Sequence, residues 1–455
     1  MDAIKGNINS ILNVSKQFII PVYQRKYSWE QEQCQRLWDD IVEMQEQSRK
    51  GHFVGSIVNI AEQAMPTGIQ KFMIIDGQQR MTTLTLLLIA LRDFGFEHIE
   101  DKSINPKEIN GMCLQNDYAT GEGKYKMLLT QTDKPVLIKL IERSPLDGIK
   151  ASRIIDNYKF FVGKIAEQKL STQQIQEGVA KLQIVNITLD RAVDDAQLIF
   201  ESLNSTGMDL YQSDLIRNYI LMGLEPKMQH NIYENYWSLM EKLFDYEKQT
   251  SLMDKFFRDY LSFSNGKIPN FAKVYDEFKQ YHRYKYKKSV VEFCKELYTY
   301  AKYYTNMYYA KSGDKQLDTI FNDIRQLQME VAFPFLLKVY ADYESNVIAK
   351  DEFIEILKCC ESYVFRRAIA GIPTNSLNKT FMIMANKINP DKYLNSVKAY
   401  MIILDSYKLF PDDEGFKSDF IIKDVYNMRI RNYIFSKLEN VNNKAPINIE
   451  NYTIE

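Results

Sequence analysis

The 455-residue sequence is poor in cysteine and histidine, and it contains no long apolar run. Its five cysteines are scattered, and none of its four histidines form an i, i+4 pair, so neither a zinc-finger framework nor a helical zinc-protease motif is present. The longest apolar stretch, residues 84–91, is too short to span a bilayer, and the N-terminus lacks a secretory pattern. We therefore expect a cytoplasmic protein with reduced thiols and no membrane partner.

The sequence also lacks an excess of charge of either sign. Its formal net charge of −1 excludes a globally basic nucleic-acid-binding protein, although a local basic groove is compatible with it. Hydrophobic residues make up 45% and charged residues 26%, which is typical of a well-packed globular protein of two or three domains. There is no Walker A loop, so a nucleotide site would have to be of another kind.

The most informative segment is Asp76-Gly77-Gln78-Gln79-Arg80, between a predicted strand over Lys71–Ile75 and a predicted helix from about Gln78 to Arg92. A helix N-terminus offers unpaired backbone N–H groups and a partial positive charge, and Arg80 can form a fork of hydrogen bonds to a phosphate. Asp76 could hold Mg²⁺ or a ribose hydroxyl. The pattern therefore predicts a phosphate-binding corner. A polar strand-to-helix turn that binds nothing is the alternative.

The secondary-structure pattern predicts an α+β protein. Further strands are expected at residues 53–60 and 182–189, and helices at residues 30–48 and 196–203. Ser213 or Asp214 is expected to cap a helix that runs to Leu221. From about residue 225 to residue 398 only helical periodicity is present. We expect domains at residues 1–224, 225–398 and 399–455.

Four segments together resemble one family: Ile20–Trp29, His52–Ile57, Ile75–Arg80 and Phe200–Gly207, the last followed by Asp214–Asn218. In this order they resemble the N-terminal NTPase domain of the GmrSD-type modification-dependent restriction enzymes. That resemblance implies a ParB/sulfiredoxin-like N-terminal domain followed by a mostly helical domain.

The resemblance also implies roles for individual residues, with an NTP of unknown base as substrate and Mg²⁺ as cofactor. Asp76 and Glu201 are expected to hold the metal. The catalytic candidates are Asp76, Gln78, Arg80 and Glu201. The nucleotide-binding candidates are Gln24, Arg25, Gly77, Gln79, Thr82, Asn204 and Gly207. His52 and Gly55 are expected to shape the floor of the same pocket, and Arg217 and Asn218 either contact the ligand or form internal salt bridges.

Two groups of residues are candidates for DNA contact. The aromatic rings of Tyr23, Tyr27 and Trp29 either stack on a base or pack as an internal cluster. In the segment Tyr281–Lys288, aromatic residues alternate with the basic residues Arg283, Lys285, Lys287 and Lys288, a pattern that suits phosphate contact and base stacking. Arg366, Arg367 and Lys379 form a second basic candidate.

The tail from Phe410 to Ile449 resembles the opening of the family's HNH-type nuclease domain. In the family a segment like Tyr452–Glu455 precedes a catalytic His-Ile-Met-Pro, so we expect the nuclease metal site to be absent from these residues. The resemblance implies the NTP-hydrolysing sensor part of an anti-phage restriction endonuclease that acts on modified phage DNA, with a homo-oligomer as one expected assembly. The alternatives are a nucleotide-gated DNA-binding module without significant hydrolysis and a nuclease acting through the ParB-like domain.

Overall fold

The computed structural model describes residues 1–12, 15–62, 68–130, 132–149, 151–191, 193–204, 210–245, 250–441, 443 and 449, with Asn204 and Thr250 described by their backbone alone. The chain forms two compact units. Unit 1 comprises Met1–Leu210 and Leu221–His230, and unit 2 comprises Tyr211–Ile220 and Asn231–Glu455. The predicted domain boundaries, one between residues 224 and 225 and one between residues 398 and 399, stay a prediction.

Unit 1 is built on a mixed six-stranded sheet with strand order β1-β6-β3-β4-β2-β5. The strands are β1 Asp2–Asn7, β2 Lys16–Ile19, β3 His52–Ala61, β4 Gln70–Asp76, β5 Met127–Leu128 and β6 Leu182–Leu189. The strand β2 is parallel to β4 and β5, β3 is parallel to β6, and β3 is antiparallel to β4. The predicted strands at residues 53–60, 71–75 and 182–189 are confirmed.

Helices pack on both faces of this sheet. Those of unit 1 are α1 Ile8–Leu12, α2 Gln31–Glu46, α3 Gln78–Glu97, α4 Pro106–Ile109, α5 Asp133–Ile141, α6 Arg153–Ala166, α7 Thr172–Lys181 and α8 Ala196–Asn204. Ile74 lies in the large core together with α2, α3 and α6, whereas the next residue, Ile75, is buried on the opposite face. The helix α8 packs against β4, and its Phe200 is buried.

The helix α3 has buried residues on every side, which explains why its sequence is almost uniformly apolar. The buried Arg92 near its C-terminal end donates hydrogen bonds to the carbonyl oxygens of Leu140 (2.8 Å) and Ile141 (2.7 Å). These carbonyls end α5, and a cation there complements the negative end of the helix dipole. The sequence pattern did not indicate this role.

Unit 2 is helical in the part of it that the structure describes, which confirms the predicted α+β class with a largely helical second half. Its helices are α9 Gln212–Leu221, α11 Ser238–Leu243, α12 Thr250–Asn265, α13 Val274–Gln280, α14 Val290–Tyr309, α15 Lys315–Gln326, α16 Phe333–Glu344, α17 Lys350–Ile369, α18 Leu377–Ala385, α19 Tyr393–Ile402, α20 Asp413–Ile422 and α21 Arg431–Asn440. The helix α10, Pro226–Ile232, contains residues of both units, because unit 1 ends at His230 and unit 2 continues from Asn231. Among the described residues, no helix combines the length and apolarity needed to span a bilayer.

The N-terminus of α9 corrects one expectation. Ser213 and Asp214 lie inside the first turn, and the N-terminal N–H groups of Gln212 and Ser213 donate to the carboxylate of Asp254 (3.1 and 2.7 Å). A residue 42 positions away from Gln212 therefore caps this helix. Local sequence could not reveal that partner, because the cap comes from α12.

Candidate functional site

Pairing of three strands brings three of the sequence motifs together. The strands β2 and β4 are parallel, so their C-terminal ends meet at one edge of the sheet, and Val58 of the antiparallel β3 lies opposite Asp76. The chain beyond β2 is tied to this edge, since the Gln24 amide nitrogen donates to the carbonyl oxygen of Ile75 (2.8 Å). We call the group formed by Asp76–Arg80, Arg25 and Gly55 the Asp76 corner.

Two glycines with positive φ shape this corner. Gly77 has φ 90° and precedes α3, and a Cβ atom there would lie 2.8 Å from the carbonyl oxygen of Ser56. Gly55 has φ 114°, and a Cβ atom there would lie 2.6 Å from the guanidinium carbon of Arg80. Both positions therefore require glycine for conformation and for space. Gly55 contacts Arg80, and its role in shaping the floor of a nucleotide pocket stays a prediction.

We expect a Gly55→Ala substitution to lower the thermal midpoint and to displace Arg80. The left-handed conformation alone costs roughly 1–2 kcal/mol for a residue with a Cβ atom, and the guanidinium must also move away. Gly163→Ala is the matched control, because Gly163 is exposed within α6 and a Cβ there would meet no atom within 4 Å. A thermal melt should show loss of stability for Gly55→Ala and none for Gly163→Ala, and equal melts would contradict this account.

Charge is concentrated at the corner. The guanidinium of Arg80 donates one hydrogen bond to described residues, from Nη1 to the carbonyl oxygen of Ser56 (2.6 Å). The Nε atom of Arg25 is buried and has no hydrogen-bond partner among the described residues. Burial lowers the pKa of Arg80, an effect that the nearby Asp76 opposes. Two guanidinium groups thus face one carboxylate and retain donors for an additional acceptor.

The carboxyl group of Asp76 has a raised pKa. Burial is the main cause, and it outweighs the hydrogen bond from the Gly77 N–H group and the attraction of Arg80 and Arg25. The ionised carboxylate is therefore held at some cost to the folded state. A cation bound at this carboxylate would reduce that cost.

An Asp76→Asn variant is expected to be more stable than the wild type at pH 7. Because the folded-state pKa is raised, the wild type loses stability as the pH rises above the unfolded-state pKa, and the variant does not. The difference in thermal midpoint should shrink as the pH falls to about 3, below the unfolded-state pKa, where Asp76 is protonated in both states. Exposed Asp39 provides the control Asp39→Asn, which should change little at either pH. A lower midpoint for Asp76→Asn at pH 7 would contradict the expected sign.

The side chain of Gln79 organises the segment that precedes α2. Its Oε1 atom accepts a hydrogen bond from the N–H group of Ser28 (2.8 Å), and its amide nitrogen donates to the carbonyl oxygen of Lys26 (3.0 Å). Both polar atoms are thereby engaged within the protein, so the structure gives Gln79 a positioning role. Direct contact of this side chain with a nucleotide stays a prediction.

Other predicted residues of the first helical turn are also buried. Gln78 is 8% exposed and Thr82 is 1% exposed, and the Thr82 hydroxyl donates to the carbonyl oxygen of Gln78 (2.8 Å). Their roles in catalysis and nucleotide binding stay predictions. The first backbone N–H groups of the helix have no partner within it, so they, and not the Thr82 hydroxyl, can donate to a ligand.

The aromatic candidates of unit 1 are mainly packed inside it. Tyr23 and Tyr27 are buried, and the Tyr27 hydroxyl is hydrogen-bonded to Thr83 (2.6 Å) and to the amide of Asn157 (3.0 Å). Trp29 is half-buried against the core. These contacts favour the packing alternative for Tyr23 and Tyr27, while base stacking by the three rings stays a prediction.

The second family motif lies on α8, which packs against β4. Glu201 is half-buried, and its Oε1 atom accepts a hydrogen bond from the Gln197 amide (3.0 Å). The Asn204 side chain and Gly207 lie outside the described residues. Metal binding by Glu201 and Asp76 stays a prediction; within the described ranges, no three His, Cys, Asp or Glu side chains are grouped so as to hold a metal ion.

Arg217 resolves one of the open alternatives in favour of an internal ion cluster. Its guanidinium is 5% exposed and lies 2.6 Å from the carboxylates of both Asp214 and Glu241. Glu241 also accepts hydrogen bonds from Trp237 (3.0 Å) and Tyr233 (3.0 Å). The cluster belongs to unit 2, and sequence reasoning missed Glu241 because its contribution depends on how α9 and α11 pack.

The predicted basic segment of unit 2 is on its surface. The side chains of Arg283, Lys285, Lys287 and Lys288 are all exposed. By contrast, His282 packs against the ring of Phe293 (centroids 4.9 Å apart), and burial lowers its pKa. DNA contact by the basic residues of this segment stays a prediction.

The second basic candidate is largely structural. Arg367 is 1% exposed and donates to the carbonyl oxygens of Tyr407 (3.0 Å) and Pro373 (2.8 Å). Arg366 pairs with Asp413 (2.6 Å). Burial of Arg367 contradicts a role for this group as a continuous basic surface, since only Lys379 of the three is exposed.

His52 of unit 1 also has a partner within the protein. Its Nε2 atom lies 3.3 Å from the Asp40 carboxylate.

Comparison with known families identifies the first part of the chain. Residues 8–221 match the GmrSD restriction endonuclease, N-terminal domain. Among curated proteins, none matches the chain. The matched region includes the three motifs that strand pairing brings together at the Asp76 corner, and it also includes α8 with Glu201. Residues 8–221 therefore form a domain of the kind that stands at the N-terminus of the GmrSD restriction endonucleases.

Proposed function

We propose that the Asp76 corner binds and hydrolyses a nucleoside triphosphate, and that this reaction regulates a DNA restriction endonuclease of which the chain is part. The observation that carries the proposal is the pair of arginines at the corner. Arg80 makes one hydrogen bond to described residues, and the buried Nε atom of Arg25 makes none. A triphosphate would supply acceptor oxygens to both groups.

The start of α3 supports the same ligand. Its first N–H groups have no partner in the helix, and the helix dipole places partial positive charge there. Gly77 permits the sharp turn into α3, and Gly55 leaves room for the Arg80 guanidinium beside it. The corner thus combines backbone donors with two guanidinium groups.

The donor set fits Mg²⁺, which takes oxygen ligands and needs only one or two carboxylates when phosphates supply the rest. Asp76 and Glu201 would hold it, and its charge would offset that of the phosphates. Arg80 would stabilise the negative charge that develops on the transferred phosphoryl group, which is the main requirement of such a reaction. If Glu201 does not hold the metal ion, it would orient the attacking water.

In this proposal, nucleotide turnover controls cleavage of modified phage DNA by an HNH-type nuclease domain. Measurement has to determine which base the nucleotide carries and whether the chain forms a homo-oligomer. DNA contact is supported by the restriction-endonuclease family of residues 8–221 and by the exposed basic segment in unit 2.

Phosphate release by the purified chain tests the proposal. Each of the four ribonucleoside triphosphates is supplied with Mg²⁺ or with EDTA, and with or without DNA from phages that carry modified bases. We expect Mg²⁺-dependent release with at least one nucleotide. Binding without release would favour a nucleotide-gated DNA-binding module, and absence of both would overturn the assignment. Nicking of plasmid DNA that Glu201→Ala abolishes would instead indicate a nuclease centre in unit 1.

A further inference from the structure

Unit 2 contains a cavity that none of the roles above uses. It has a volume of about 340 Å³ and is lined by Tyr281, Tyr300, Phe263, Glu296, Asp342 and Lys338. Pockets for small organic groups usually start at roughly 300 Å³. The space is therefore large enough for one planar heterocycle.

The polar groups of the cavity are held in place. The two carboxylate oxygens of Glu296 accept hydrogen bonds from the hydroxyls of Tyr260 (2.7 Å) and Tyr286 (3.1 Å). Asp342 is paired with Lys338 at 2.8 Å. The Oδ2 atom of Asp342 accepts from both Lys338 (2.8 Å) and the Tyr393 hydroxyl (2.5 Å), which leaves its Oδ1 atom for a ligand. The Oε1 atom of Glu296 has a second lone-pair direction beside its bond from Tyr260, so both acidic groups can accept further hydrogen bonds.

The aromatic walls are also fixed. The ring of Tyr300 packs against Phe263 (centroids 5.1 Å apart) and against Tyr260 (5.4 Å). Tyr281 packs against Tyr260 (6.1 Å). Preorganised rings of this kind bind a flat π-system without a large loss of side-chain entropy.

The cavity adjoins the basic segment Tyr281–Lys288, which we call the basic strip. Tyr281 lines the cavity and opens a π-helical turn, Tyr281–Lys285, a rare backbone form that is frequent at functional sites. At the other end of the strip, the Lys288 ammonium lies 3.8 Å from Glu296. Exposed cations thus border an aromatic and acidic cavity.

We propose that the basic strip holds the phosphate backbone of DNA and that the cavity receives a nucleobase extruded from the duplex. This inference rests on the DNA contact of the proposed function. A nucleobase matches the cavity because its face can stack on the tyrosines and its N–H groups can be accepted by Glu296 and Asp342, while Lys338 can donate to a ring carbonyl. The two carboxylates disfavour a phosphate inside the cavity, and Lys338 disfavours a simple cation.

The test compares two duplexes that differ by one base pair, one fully matched and one with a central mismatch, in the absence of nucleotide. Extrusion is easier for a mismatched base, so the wild-type chain is expected to bind the mismatched duplex about tenfold more tightly. Tyr300→Ala should abolish that ratio, and Tyr300→Phe should retain it because the ring remains. A ratio of one for the wild type, or a ratio that persists in Tyr300→Ala, would overturn the proposal.

Two further variants separate the parts of the site. Lys287→Ala should weaken binding of both duplexes equally and lower the salt dependence, because phosphate contacts are insensitive to pairing. Glu296→Gln keeps the shape of the cavity and should reduce the preference for the mismatched duplex. This variant tests the proposal if Tyr300→Ala does not fold. An unchanged preference in Glu296→Gln would then overturn the inference. Phosphate release is measured separately, so loss of turnover with an intact ratio would contradict only the proposed nucleotide site.

Discussion

An Arg80→Ala variant is expected to release phosphate about 10²- to 10³-fold more slowly than the wild type, the usual effect of removing one preorganised donor from a developing negative charge. The guanidinium of Arg80 is held over Gly55 by its hydrogen bond to Ser56 (2.6 Å), and Asp76 is its neighbouring carboxylate. That arrangement presents the remaining N–H groups in a fixed direction. Initial rates at saturating nucleotide and Mg²⁺ measure the effect.

The controls for this prediction distinguish chemistry from folding. Arg80→Lys retains a charge but not the planar fork, so its rate should fall between those of the wild type and Arg80→Ala. Arg36→Ala removes an exposed arginine that pairs with the exposed Glu32, and it should leave the rate unchanged. Full turnover in a folded Arg80→Ala protein would remove Arg80 from the catalytic site.

Arg217→Ala is expected to lower the free energy of unfolding by about 3–5 kcal/mol, because it leaves buried carboxylates without their cation. Asp214 is 4% exposed and Glu241 is 13% exposed, and both contact Arg217 at 2.6 Å. Their repulsion would no longer be offset. Chemical denaturation measures the loss, followed by tryptophan fluorescence, to which Trp237 beside Glu241 contributes.

A double substitution tests whether that loss comes from the charges. Arg217→Met combined with Glu241→Gln removes the cation and one carboxylate while preserving volume, so it should be less destabilising than Arg217→Ala. The exposed pair of Arg49 and Glu43 gives the control Arg49→Ala, expected to cost no more than about 1 kcal/mol. If Arg217→Ala melted like this control, the ion cluster would not be stabilising unit 2.

The local pattern was sufficient for the elements that carry the Asp76 corner. The apolar segment Lys71–Ile75 predicted β4, and the apolar run after Gly77 predicted α3, whose observed range is Gln78–Glu97. Apolar runs of this kind reflect which side chains face the core, so they can be recognised from short segments. The edge strand β1 and the two-residue β5 were not predicted, because short strands carry little periodic signal.

The partner of each functional side chain was not available from local sequence. Gln79 reads as a ligand of phosphate in the motif, yet its amide holds Ser28 and Lys26, 51 and 53 residues away. The same is true of Asp254 at the start of α9 and of Glu241 beside Arg217. Long-range packing sets these contacts, and a polar side chain offers many partners of similar energy until packing selects one.

By itself, then, the sequence determined the α+β class, the strand-turn-helix at Asp76–Arg80 and the surface position of the basic strip. It did so because helix and strand periods and the need for glycine at positive φ are local properties. Only the tertiary structure decided that Arg80 lies over Gly55, that Tyr27 is buried, and that the basic strip borders an aromatic cavity. Those facts depend on which elements pack together, and packing is a property of the whole chain rather than of any segment.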